Sequence, residues 1–144
     1  MRFAKTQGNE APIVLTFDDG LSSHGEFVIP LLKKYNLTGT FFITNNEWED
    51  ESRIDWNLLK VIEEDGFEIA NHTYGHRKLT IHNEMFVSNE ITQLEKSLID
   101  YGITDMKTFC YPGYHNNTMV QSIVESLGYD FARQGYGEPN GFDD

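Results

Sequence analysis

The chain has 144 residues, 39% of them hydrophobic and 24% charged, enough to bury the core of one globular domain. Its formal net charge of −12 argues against nucleic acid or an anionic membrane surface as the main partner, because phosphates would be repelled. The single cysteine, Cys110, excludes an intrachain disulfide, and no apolar run approaches the ~20 residues that span a bilayer.

Met1 to Ala11 is polar and lacks the apolar stretch of a signal peptide. That predicts a loose lead-in, cytoplasmic as written and extracytoplasmic if a leader was trimmed. The run Ile13-Val14-Leu15-Thr16-Phe17 reads as a short buried strand over residues 12–17. Asp18, Asp19 and Gly20 follow at once. Adjacent carboxylates repel and resist desolvation, so a pair at a strand end points to a metal ion or to a tuned acid/base group. The plainer reading is an Asp-Gly turn leaving the strand.

A helix is expected from Glu26 to Tyr35, with Val28, Leu31, Leu32 and Tyr35 on its apolar face and Pro30 in its first turn. Residues 38–44, around Thr40-Phe41-Phe42-Ile43, form a second strand by their β-branched and aromatic content. Asp55 is placed to cap a helix carrying Leu58, Leu59 and Ile62, which Gly66 ends. Phe67 to Ala70 is a third strand, and residues 71–83 are a loop holding His72, His76 and His82.

A long amphipathic helix runs from Glu84 to Tyr101 on Val87, Ile91, Leu94 and Leu98. Lys107 to Tyr111 is a fourth strand, broken by Pro112-Gly113. Asn116 or Asn117 caps a further helix carrying Val120, Ile123, Val124 and Leu127. Tyr129 to Ala132 is a fifth strand, and the Gly-, Pro- and Asp-rich stretch after it reads as irregular. Strands alternating with helices mean parallel strands with helices outside. In such sheets, ligands sit at the carboxyl ends of the strands. The Asp pair, the histidine loop and the Pro112-Gly113 loop would share that rim.

His72 and His76 are four residues apart, and on one helical turn they would point to the same side. Neutral imidazoles ligate zinc, iron and related ions. With one strand-end Asp they make a two-His-one-carboxylate set that leaves metal positions open. The neighbouring Asp would then be free as a base, and a backbone N–H after Pro112 could face an oxyanion. The reaction class this implies is metal-assisted hydrolysis of an amide or ester.

These residues are similar to the polysaccharide deacetylase family, the NodB-homology domain of carbohydrate esterase family 4. Thr16-Phe17-Asp18-Asp19-Gly20 matches its first motif, and His72-Thr73-Tyr74-Gly75-His76 its second, His-Ser/Thr-x-x-His. Phe109-Cys110-Tyr111-Pro112-Gly113-Tyr114 resembles its third. The likeness extends over residues 12–135, between the lead-in 1–11 and an irregular tail 136–144.

The resemblance implies an α/β fold, a partial (β/α) barrel of about five parallel strands with outer helices. It also implies metal-dependent removal of acetyl groups, mainly N-acetyl, from a polysaccharide. By position Asp18 would be the catalytic base. Asp19, His72 and His76 would hold a divalent ion, usually Zn2+ and sometimes Co2+, Ni2+ or Fe2+. Thr73 would brace the histidine loop by a hydrogen bond. Tyr111, Pro112, Gly113 and Tyr114 would wall the groove, the Gly113 N–H facing the oxyanion.

Two departures from the pattern stand out. Cys110 occupies the place where many members carry an Arg that orients the catalytic Asp. Nothing after Arg133 matches the later Asp/Trp and Leu-x-His motifs, so the domain reads as C-terminally incomplete. His115 is then the candidate proton donor, while His24 and His82 read as surface residues and Cys110 as a small buried hydrophobe.

Trp48, Trp56 and Tyr114 are candidates to line a sugar groove, Trp56 fitting the core better. Five strands do not close a barrel, so a homo-oligomer covering the open edge is expected. Two other functions fit the residues: a non-haem iron oxygenase, and a non-catalytic carbohydrate-binding remnant. The expected partner is an N-acetylated glycan, with neither nucleic acid nor a membrane span.

Overall fold

The computed structural model describes residues 13–45 and 52–135. Trp48, the lead-in and the tail 136–144 lie outside them. Five parallel strands form one sheet in the order β1 (Thr16–Phe17), β2 (Thr40–Ile43), β3 (Glu68–Asn71), β4 (Thr108–Cys110) and β5 (Phe131–Arg133). The helices between them are α1 (Ile29–Lys34), α2 (Leu59–Glu64), α3 (Glu84–Ile99) and α4 (Thr118–Ser126). This is the expected half-barrel, with each crossover carrying a helix.

Period two along the strands sorts the side chains into two faces. Phe41, Ile43 and Ile69 pack outward against Leu59, Ile62, Leu94 and Leu98 of the helices. Phe109 packs with Val87, Ile91, Val120 and Val124. The alternate residues face inward in layers. Glu68 accepts hydrogen bonds from the hydroxyls of Thr40 and Thr108, both at 2.6 Å. Above it sit Phe42, Ala70 and Cys110, a small apolar cluster. His72 and the Asp pair continue the chain past that layer, on the rim.

Helix caps follow the sequence. Asp55 Oδ1 accepts from the Asn57 N–H, Asn83 Oδ1 from the Phe86 N–H, and Asn117 Oδ1 from the Val120 N–H. Asn117, rather than Asn116, is the cap of α4.

Several expectations shift. The first strand is two residues long and half-buried, because β1 pairs only with β2 among the described residues. The helix expected from Glu26 opens instead as a π turn over His24–Val28, with the Ile29 N–H reaching back to the His24 carbonyl. Pro30 has no N–H to offer Glu26, so the wider turn before it absorbs the missing bond. That turn rotates the buried face: Ile29 and Leu32 are inside, while Leu31 and Tyr35 are exposed. The fifth strand starts two residues late, and its Phe131 is exposed.

His24 is buried, not on the surface, its ring edge-on to Phe17 and tilted against Phe41. His82 is half-buried and stacks on Phe86. Trp56 is partly buried, packs edge-on to Tyr101 and lines a cleft of about 450 Å³ with Asn45, Arg53 and Asp100.

Candidate metal and catalytic site

Consecutive residues of an extended chain point to opposite faces. Asp18 and Asp19 can therefore serve one site only if the chain turns between them. It does: Asp19 has φ 72° and Gly20 φ 61°, two left-handed residues in a row at the end of β1. Gly20 is needed there, since a Cβ would lie 3.0 Å from Ile43 Cδ1. The turn sends the two carboxylates to different tasks.

Asp19 Oδ1 faces the histidine pair, 3.3 Å from His76 Nε2 and 3.6 Å from His72 Nε2. The histidines come together without a helix. Residues 72–76 form a bend with φ 65° at Thr73 and φ 50° at His76. The loop expected over these residues is a strained one, and without a helical turn it brings the ring centroids to 4.8 Å.

That loop is braced by its backbone. Asn71 Oδ1 accepts from the Thr73 N–H at 2.8 Å, and Asn71 Nδ2 donates to the Ile91 carbonyl and the Tyr129 hydroxyl. The Glu90 carbonyl accepts from the Tyr74 N–H, and Glu90 Oε2 from the Gly75 N–H. The Thr73 hydroxyl, expected to do the bracing, is buried and makes no described hydrogen bond. Asn71 and Glu90 were missed because their role depends on α3 lying against β3.

The donor set fits a divalent ion. His72 Nδ1 lies 2.7 Å from the Cys110 carbonyl. A carbonyl only accepts, so Nδ1 carries the proton and neutral His72 turns the lone pair of Nε2 toward Asp19. Burial pushes both His72 and His76 below the ordinary imidazole pKa, favouring that neutral form. Asp19 Oδ1 is buried and accepts no hydrogen bond among the described residues. Two imidazoles and a carboxylate oxygen, with ligand atoms within 4.8 Å of one another, leave negative charge and lone pairs converging. A cation resolves that arrangement.

An Asp18 carboxylate oxygen also lies within 4.8 Å of a His72 ring nitrogen and Cys110 Sγ, but Asp18 is held by Arg133. Nη2 of Arg133 donates to both of its carboxylate oxygens, and also to Cys110 Sγ at 2.9 Å. Arg133 is the registered neighbour of Cys110 across β4 and β5. Its guanidinium thus reaches the place left open by a cysteine at 110. It is sandwiched by the rings of Phe42 and Tyr114, 5.2 and 5.4 Å from its carbon. Cys110 is fully buried, and burial raises its thiol pKa far above the ordinary value, so it stays a neutral thiol.

Tyr111 and Pro112 are buried, and Gly113 and Tyr114 exposed. All four lie at the end of β4, with φ 57° at Gly113 and φ 62° at Tyr114. His115 follows, half-buried, with Cδ2 3.1 Å from where a Gly113 Cβ would stand. No described hydrogen bond or ion pair joins His115 to Asp18, Asp19, His72 or His76. Arg133 is the residue that sequence reasoning missed. The available signal was the absent Arg at 110 together with a basic residue on the next strand.

Residues 5–132 match the polysaccharide deacetylase family model, and the chain belongs to that family. It is 33% identical over 119 residues to a bifunctional xylanase/deacetylase of Pseudobutyrivibrio xylanivorans, covering 80% of this chain and 19% of that protein. It is 31% identical to the peptidoglycan-N-acetylmuramic acid deacetylase PdaA of Bacillus subtilis, covering 83% of this chain and 45% of that protein. The chain thus spans less than half the length of these relatives.

Among solved structures, the chitin deacetylase of Colletotrichum lindemuthianum matches with TM-score 0.74 and 23% identity, over 83% of this chain and 54% of that one. A family pseudoenzyme from Bacillus anthracis matches with TM-score 0.71 and 16% identity, over 83% of this chain and 41% of that one. These likenesses establish the fold.

Proposed function

We propose that the chain carries the catalytic half-barrel of a carbohydrate deacetylase that hydrolyses acetyl groups, mainly N-acetyl, on a polysaccharide. The observation that carries this reading is the division of labour within the Asp pair. One carboxylate oxygen faces two imidazoles, and the other carboxylate takes Arg133 on both of its oxygens. The deacetylase names of the relatives support the substrate class.

Asp19, His72 and His76 would hold the divalent ion, zinc being the first choice for two nitrogens and one oxygen. When bound, such an ion supplies Lewis acidity to a water and to the acetyl carbonyl. Asp18 is the base: its carboxylate takes the proton from the attacking water, and Arg133 keeps it aimed. The Gly113 N–H meets the developing oxyanion. Tyr111, Pro112 and Tyr114 form the groove wall, with the exposed face of Tyr114 offered to a sugar ring. His115, next on the same rim, is offered as donor of the proton to the departing amine.

A reading as an iron oxygenase gives Asp18 no task, whereas Arg133 is placed to hold it. Acetate release from N-acetylated glucosamine oligomers, with and without chelator, tests the proposal. Asp18→Asn is expected to retain zinc and lose about 10²–10⁴-fold in turnover. Asp19→Asn or His72→Ala is expected to lose the zinc as well. Full activity in D18N, or chelator-insensitive turnover, overturns the assignment. Zinc binding without acetate release from any glycan of a chitin, peptidoglycan and xylan panel identifies a carbohydrate-binding remnant instead.

A further inference from the structure

The left-handed conformation of Asp19 that lets its carboxylate reach the histidines carries a steric cost. It persists only where its surroundings over-determine it. Those surroundings come from the far side of β2. Residues 52–54 run antiparallel to residues 20–22 and clasp them. The Ser22 N–H donates to the Ser52 carbonyl at 2.9 Å, and the Ile54 N–H to the Gly20 carbonyl at 2.8 Å. Leu21 and Arg53 form the bridge between the two segments. The Ser22 and Ser52 hydroxyls meet at 2.6 Å. The side chain of Ile54 closes over Gly25, where a Cβ would lie 3.2 Å from Ile54 Cδ1.

These contacts fix Gly20 and the residues after it. The bond to Asp19 itself is made by a side chain. Nη1 of Arg53 donates to the Asp19 carbonyl at 2.9 Å. A charged donor on a backbone carbonyl makes a stronger and more directional hold than a neutral one. It acts on Asp19, whose backbone sits in a disfavoured left-handed conformation.

We propose that Arg53 is a positioning residue of the metal centre, holding the Asp19 backbone turned so that Oδ1 faces His72 and His76. The proposal rests on the reading that these three residues bind a divalent ion. Outer partners of metal ligands set ligand direction and with it affinity. Arg53 is such a partner, reaching the ligand through its carbonyl rather than its carboxylate.

The test titrates Zn2+ against a chromophoric chelator into the metal-free full chain, as wild type, R53M, R53K and S52A. Visible absorption of the cobalt-loaded proteins is recorded in parallel. R53M is expected to bind Zn2+ about 10- to 100-fold more weakly, with an altered cobalt spectrum and an unchanged metal-free circular dichroism spectrum. R53K, with the same charge but one donor centre, is expected to fall between R53M and wild type. S52A removes the neighbouring hydroxyl contact and leaves Arg53 in place, so it is expected to bind as wild type does.

Wild-type affinity and spectrum in R53M overturn the proposal. So does an equal loss in S52A, which would assign the effect to the clasp as a whole. Should R53M not fold, R53K carries the test, and wild-type values there overturn it. A wild-type protein that binds neither Zn2+ nor Co2+ would instead sink the metal-centre reading, an outcome separate from either.

Discussion

Asp18, Cys110 and Arg133 show how a small residue and a distant one share a task. The thiol at 110 is too short and too neutral to steady a carboxylate. The guanidinium comes from the next strand in register and donates to both Asp18 oxygens. Burial works against the charge on Arg133, yet its bonds to Asp18 hold its pKa above the ordinary value. Arg133→Met is therefore expected to leave zinc content intact and to lower kcat by about 10²-fold through misdirection of the base. Metal analysis and steady-state kinetics on the same preparation check this. Loss of zinc together with activity would place Arg133 with the ligands instead.

At the scale of elements, the histidine loop leans on a buried amide beside its bonds to Glu90. Asn71 ends β3, and its side chain ties that strand to α3 through the Ile91 carbonyl and to Tyr129 through its hydroxyl. Tyr129 passes the connection on, donating to Glu95 at 2.5 Å. Asn71→Ala would orphan the Thr73 N–H and remove the amide donor to the Tyr129 hydroxyl, whereas the Ile91 carbonyl, inside α3, keeps its helix bond. Both lost bonds are to buried residues with little access to water. The expected loss is about 1–3 kcal/mol, read by urea unfolding of the metal-free protein, together with weaker zinc binding because φ 65° at Thr73 loses its brace. Unchanged stability would show that the loop stands on Glu90 alone. The π turn before α1 is the other decisive element, since it delivers His24 to the inside and turns Phe27, Leu31 and Tyr35 outward.

At the scale of the whole molecule, the fold gathers imidazoles where water is scarce. Burial holds His24, His72 and His76 below the ordinary value of 6.5. Above that pH both folded and unfolded chains keep them neutral, and no stability is lost. Below it the unfolded chain takes up protons that the folded chain refuses, so stability falls between 6.5 and the lower folded values. Thermal unfolding in chelator is expected to show a falling Tm from pH 7 to 5.5. A flat profile would contradict the burial of these rings. The open edge of β5 belongs to this scale too. A concentration-dependent mass by light scattering is expected if a second copy covers it, and a constant monomer mass would refute that assembly.

The sequence by itself determined the order of strands and helices, because apolar period and Gly, Pro and Asn punctuation are local signals. It also brought forward the proposed ligand set, since Asp18-Asp19-Gly20 and His72 to His76 each sit within a few residues of chain. It did not determine how the pieces turn. The strand-end Asp pair looks identical in sequence whether its carboxylates diverge or converge. That is a matter of tertiary contacts, among them the bond from Arg53 Nη1 to the Asp19 carbonyl. The stretch holding the histidines read as a loop, and the hold of Asn71 and Glu90 gives that loop its strained bend. Arg133 was invisible because 115 residues separate it from Asp18. Pairing in register across a parallel sheet joins residues far apart in the chain, so the partner of Asp18 was settled by the packing of β4 against β5.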